Sequence, residues 1–195
     1  MFSLILASKS KVRKDILIKN GIKCLVDPSN VDEDLVKESL LKEGATPEII
    51  SKNLAELKAN KVSERKSGEL VLGADSVIDL DGELISKPST RSNALEILNK
   101  LNGKTHQLIS SVCISKNSTM IWNYTDKAAL TMKKMTNKDL IDYLSRITDA
   151  ALFAYNVYQI EGEGKNLFSK VEGDKNTIMG LPVEKIKEYL INYEN

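Results

Sequence analysis

The chain has 195 residues, 42% of them hydrophobic and 28% charged, with 28 lysines and arginines against 27 aspartates and glutamates. That is long enough for one good-sized core, and the composition is that of a soluble globular protein. Balanced charge excludes the basic field of a dedicated nucleic-acid binder, while a local cluster of cations can still hold a small anion.

No apolar run approaches the roughly 20 residues that span a bilayer. Met1 to Ala7 lacks the basic start and the length of a secretion signal, so a cytoplasmic protein is expected. Cys24 and Cys113 lie in apolar, strand-like surroundings without metal-ligand spacing, which suggests buried free thiols.

In chain order, Ser3–Ala7 reads as a buried strand, and Ser10 as the N-cap of a helix with Val12, Ile16 and Leu17, stopped at Asn20-Gly21. A second strand covers Ile22–Val26, and a short helix covers Asp34–Glu43. Thr46-Pro47 caps a longer helix reaching about Arg65. Leu70–Ile78 (LVLGADSVI) is the pattern of a strand covered on both faces, and Asp81-Gly82 predicts a hairpin turn after it. Thr90–Leu101 is an amphipathic helix. Strands His106–Ser115 and Thr119–Met132 follow, joined at Lys116-Asn117-Ser118. Thr136 caps a helix with Leu140, Ile141 and Leu144. A glycine-rich turn at Gly162–Gly164, a strand near Leu167–Val171 and a helix after Pro182 complete the chain. Strands interleaved with helices, and hairpins alongside crossovers, indicate an α/β protein with a mixed sheet, and residues 1–195 are read as one domain.

Asp75 interrupts an apolar strand, where an isolated carboxylate is costly. It is either a satisfied buried acid, or a general base or metal ligand at the bottom of a pocket. Asp32-Glu33-Asp34 precede a helix, where the dipole alone explains acids; Glu33 with Asp75 could also supply oxygen ligands to a hard cation. Arg13 lies in the first turn of a helix whose free N–H groups suit an anion, and it adds a bidentate phosphate contact. Lys9, Lys11 and Lys14 read as solvated. Lys58 lies on the long helix, where most lysines are surface residues, and Lys87 directly follows the hairpin and precedes Pro88. His106 begins a strand with no nucleophile pattern near it and reads as structural. Neither a P-loop nor a Rossmann glycine pattern occurs. Separate cations, two carboxylates and no nucleophile triad describe a polyphosphate site.

The ordered blocks LILASKSKVRKDIL, VDED, LAELKANKV, VLGADSVI, SKPSTRSNALEILNKLNGKTHQLISSV and YQIEGEGKNLFSKVEGDKNTIMGLPV resemble the Maf family from Leu4 to about Leu190. That resemblance implies a Maf/ITPase-like fold: an elongated central mixed sheet flanked by helices, with two lobes and a cleft. It implies a homodimer and a nucleoside triphosphate pyrophosphatase that needs a divalent metal cation, Mg²⁺ or Mn²⁺. By the same resemblance Asp75 is the proton acceptor. Ser8, Ser10, Arg13, Lys58 and Lys87 bind the substrate, and Glu33 with Asp75 serves metal or substrate. Arg13, Ser76 and Glu161 set specificity. Ser76 stands where the dTTP/UTP-preferring branch has Thr and the 7-methyl-GTP branch usually has Gln. Glu161 stands where the first branch has Gln and the second often Glu, so this chain follows neither pairing. Ser86 replaces a common glycine before Lys87. Removal of non-standard nucleotides and arrest of cell division are the roles implied. A non-catalytic nucleotide-binding regulator of septum formation is the rival reading.

Overall fold

The computed structural model describes residues 4–194, so Ser3, placed by the sequence at the start of the first strand, lies outside the described residues. The strands are β1 (Leu4–Leu6), β2 (Cys24–Val26), β3 (Leu70–Leu80), β4 (Glu83–Ile85), β5 (Thr105–Lys116), β6 (Thr119–Met132) and β7 (Phe168–Glu172). They form one seven-stranded mixed sheet in the order β2-β1-β3-β5-β6-β7, with β4 pairing β3. β1 runs parallel to β2 and β3, and the remaining pairs are antiparallel. The helices are α1 (Lys11–Lys19), α2 (Glu33–Lys42), α3 (Pro47–Ser63), α4 (Arg91–Leu101), α5 (Asn137–Ser145), α6 (Asp149–Tyr155), α7 (Lys175–Ile178) and α8 (Val183–Glu194). A short 3₁₀ turn covers Glu163–Leu167.

The caps read from sequence are made. Ser10, Thr46, Thr90 and Thr136 each accept a backbone N–H of the first turn of their helix. Asp81 and Gly82 both have positive φ at the β3–β4 turn, as do Asn117 and Ser118 between β5 and β6, the backbone that suits tight hairpins. Two helices escape the sequence reading: α6, capped by Thr148, and the four-residue α7, capped by Asp174. Cys113 is buried as expected. Cys24 is only half-buried, because β2 is an edge strand whose Leu25 and Val26 face outward.

β3 is covered on both faces. Its alternate residues Leu70, Leu72 and Ala74 join Leu4, Leu6, Leu17, Ile114 and Ile186 in one apolar cluster. Farther along, Ile78 and Leu80 join a second cluster with Leu98, Leu130, Tyr158 and Phe168. On the opposite face Val71 packs with Ile5, Ala55, Ala59 and Val62. Gly73 lets the backbones of β3 and α3 touch: a Cβ there would overlap the Ala55 carbonyl and lie 2.7 Å from the Ala59 nitrogen.

Between the two clusters the sheet has a polar waist. Asp75 pairs across to Ser111 and then Thr125, while Ser76 pairs to Ser110 and then Asp126. Because successive strand residues point to opposite faces, these are two polar rows, one on each side of the sheet. The cleft opens at this waist.

Candidate active site

All nine residues singled out from the sequence, Ser8, Ser10, Arg13, Glu33, Lys58, Asp75, Ser76, Lys87 and Glu161, line one cleft of about 510 Å³. Its floor is charged. Lys58, 5% exposed, bridges two carboxylates, with its Nζ 2.7 Å from Asp75 Oδ1 and 2.8 Å from Glu33 Oε1. The Gly73 contact sets α3 against β3 closely enough for this lysine to reach Asp75. The backbone carbonyl of Asp75 accepts from Ser51 Oγ, also on α3. Among the described residues, Asp75 Oδ2 is buried with no hydrogen-bond partner.

The three consecutive acids separate by role. Asp32 caps α2 by accepting from Leu35 N, Glu33 turns to Lys58, and the Asp34 side chain stays in solvent. The segment before them is held by Arg65, which donates to Asp27 and to the Pro28 carbonyl. Burial opposes ionisation of Glu33, but Lys58, through charge and hydrogen bond, together with Lys37 and Lys87, outweighs it and holds the pKa below the ordinary value.

Arg13 is tied to the protein rather than left free in the cleft. Its Nε donates to the Gly180 carbonyl at 2.9 Å, Nη1 to Ala74 O at 3.0 Å and to Ser8 Oγ, and Nη2 to Ser76 Oγ at 3.1 Å. Four of its five N–H groups are thereby used, so it pins α1, β3 and the turn after α7 together and keeps one donor for a ligand. Burial lowers its pKa, with Asp75 and Glu33 opposing. Ser8 Oγ also accepts Ser10 N, and Ser10 Oγ accepts Arg13 N, so both hydroxyls shape the loop.

Lys87 differs from Lys58 in having no ion pair among the described residues. Its side chain is exposed, yet the surrounding protein strips enough solvation to lower its pKa. Arg13 and Lys37 add to that effect, while Glu33 and Asp75 oppose it. Glu161 lies on the rim, exposed. The turn at Gly162–Gly164 folds under Gln159, since a Cβ at Gly164 would sit 2.6 Å from the Gln159 nitrogen.

The cleft also includes residues that sequence reasoning passed over. Lys9 and Lys11, read as solvated, are exposed but lie on its rim, and Lys37 lies four residues after Glu33 on α2. Tyr158 and Ile160 contribute an apolar wall together with Ile78, Leu108 and Ile178. Only Lys37 carried a signal, its i+4 spacing from Glu33. His106 lies outside the cleft, enclosed beside Tyr158 and Phe168.

Among the described residues no group of three or more His, Cys, Asp or Glu side chains is placed to hold a metal ion. Glu33 and Asp75 are two hard oxygen donors, one with an unpartnered oxygen. They fit an ion such as Mg²⁺ that arrives on phosphate oxygens and keeps part of its water, rather than an ion held in an all-protein cage.

A nucleoside triphosphate pyrophosphatase of Pelagibacter ubique (strain HTCC1062) is 72% identical over 187 residues, covering 96% of each chain. A 7-methyl-GTP pyrophosphatase of Brucella abortus biovar 1 (strain 9-941) is 39% identical over 180 residues, 92% of this chain and 90% of that one. Among solved structures, a HAM1 protein from Coxiella burnetii overlaps at a TM-score of 0.44 with 11% identity, covering 69% of this chain and 75% of the other. The family model for Maf-like proteins matches residues 3–193. With the whole described cleft inside that match, the chain belongs to the Maf-like protein family.

Proposed function

We propose that this protein is a nucleoside triphosphate pyrophosphatase, which hydrolyses the link between the α- and β-phosphates to give a nucleoside monophosphate and pyrophosphate. The observation that carries the reading is Asp75. It is a buried carboxylate with one oxygen on Lys58 and the other unpartnered among the described residues, at the junction of a charged and an apolar half of one cleft. The apolar half, with Ile78, Leu108, Tyr158 and Ile160, takes the base. The charged half, with Lys9, Lys11, Lys37, Lys58 and Lys87, takes the triphosphate.

In this reading the phosphates draw the Lys58 ammonium away from Asp75, while Lys87 and the remaining donor of Arg13 orient the chain. Asp75 then accepts one proton from a water whose oxygen bonds to a phosphorus of the α–β linkage, and the bridging P–O bond breaks to release pyrophosphate. A divalent cation, Mg²⁺ or Mn²⁺, held by Glu33 and Asp75 with phosphate oxygens, would neutralise charge on the phosphates. Positioned charge and a base suffice, so no covalent intermediate on the protein is needed.

Clearing non-standard nucleotides, a cytoplasmic location and a homodimer accompany the proposal, as does a cleft that takes neither nucleic acid nor membrane; sedimentation tests the dimer. The deciding assay gives the protein Mg²⁺ or Mn²⁺ and a panel of normal and modified nucleoside triphosphates, 7-methyl-GTP included. Pyrophosphate with matching monophosphate is expected. Orthophosphate instead would make it a phosphatase. Nucleotide binding without products would make it the septum-formation regulator.

A further inference from the structure

The second polar row carries an oriented chain of hydroxyls behind the cleft wall. Ser110, fully buried, donates from Oγ to the Thr177 carbonyl at 2.8 Å. A carbonyl cannot donate, so the single proton of Ser110 is spent there. Ser76 Oγ lies 2.9 Å from Ser110 Oγ, and its own proton must therefore point to Ser110. Arg13 Nη2 donates into Ser76 Oγ from the other side. The sequence of donors, Arg13 to Ser76 to Ser110 to Thr177, runs one way only.

Its far end is fixed. Thr177 Oγ1 donates to Asp126 Oδ2 at 2.7 Å, and Thr177 N donates to Asp174 Oδ1. Its near end is fixed at Arg13, whose Nε donates to the Gly180 carbonyl and whose Nη1 donates to the Ala74 carbonyl. Ser76, half-buried on the cleft wall, thus has one lone pair to offer a ligand and no proton.

We infer that Ser110 is a positioning residue for base selection: by holding the Ser76 proton, it makes this wall an acceptor, which favours a base presenting an N–H donor here and disfavours one presenting a carbonyl or bare ring nitrogen. The inference rests on nucleotide binding in the cleft. It goes beyond the proposed reaction in naming a buried residue that touches no substrate and the hydrogen-bond polarity it selects.

The test measures dissociation constants of uncleavable α,β-methylene analogues in pairs that exchange donor for acceptor along one edge, CTP with UTP and ATP with ITP. Ser110→Ala frees the Ser76 hydroxyl to turn and donate. The disfavoured member of at least one pair should then bind about threefold to tenfold more tightly, the worth of one hydrogen bond, while the favoured member changes less. In a Ser76→Ala background the same change at Ser110 should alter the ratio less than about twofold. A merely structural defect would weaken all analogues together and gain none, so uniform loss overturns the inference. A wild type without preference in either pair overturns it too, as does a shift that persists without the Ser76 hydroxyl. Ser110→Cys, which keeps a weak donor and acceptor, should fall between, and it carries the comparison if Ser110→Ala melts too low to assay. Natural nucleotides run alongside test the reaction separately. Absent pyrophosphate with the analogue pattern intact overturns the reaction alone, and the reverse overturns this inference alone.

Discussion

Among the described residues, two buried polar side chains each have an atom without a partner, Asp75 Oδ2 and His106 Nδ1. Both are nearly inaccessible, at 4% and 1% exposed, and both use their other polar atom, on Lys58 and on Tyr158 OH respectively. Their surroundings differ. Asp75 lies on the floor of a cleft among cations, with charge available to balance charge. His106 is packed beside Tyr158 and Phe168, and burial drives its pKa down to about 4. An unmet hydrogen bond is therefore not in itself a mark of function. It becomes one where a ligand can reach it in a charged cleft; at His106, packed away from the cleft, burial disfavours the charged form instead.

Asp75→Asn strains this contrast most. With Glu33 still pairing Lys58, the fold should survive with little change in melting temperature, while kcat falls about 10³-fold or more, the scale of a lost general base; turnover near wild type removes Asp75 from its role. Lys58→Met leaves two carboxylates facing each other without their bridge. It should lose about 3 kcal/mol of stability and about 10²-fold in kcat/KM, read by urea denaturation and pyrophosphate release.

His106 makes the opposite prediction, on stability and not on rate. Its folded pKa of about 4 lies below the ordinary 6.5, so as pH falls the unfolded chain takes up the proton first. Its contribution is complete above about pH 6.5, declines down to about pH 4 and is then lost, to a total of about 3 kcal/mol. Denaturation at pH 7, 5.5 and 4 should show that slope, and His106→Gln should flatten it without changing turnover at pH 7. Lys87→Ala should have the smallest effect, raising KM about tenfold with kcat within a few-fold, because in the proposed reading its ammonium orients phosphates without touching Asp75.

Much of the fold is legible in the sequence because the signals are local. The Thr46-Pro47 cap, the apolar run of β3 and the Asp81-Gly82 turn each need only a few neighbouring residues. Helix α7 is a single turn, too short to show a period, and its Asp174 cap reads as one more polar loop residue. The site is legible as a set of residues and not as a circuit. Glu33, Lys58 and Asp75 stand out singly, but their ion pairs join positions 25 and 17 residues apart, the first brought together by α2 against α3 and the second by α3 on β3. The sequence reading gives Arg13 a bidentate phosphate contact and carries no sign that four of its N–H groups go to the protein's own carbonyls and serines. Ser110 was invisible because a serine in a strand carries no sign of where its proton goes.

The contact at Gly73 limits how the cleft can adapt to different nucleotides. With main chain against main chain there, no side chain lies between strand and helix to change rotamer and let one slide over the other. Lys58 and Asp75 thus ride on a single stiff plate. In the proposed reading, accommodation of a larger base is left to the apolar wall, where Tyr158 and Ile160 stand on the loop after α6 rather than on that plate. On the same reading, the fit of the base at that loop can vary without disturbing Lys58 and Asp75.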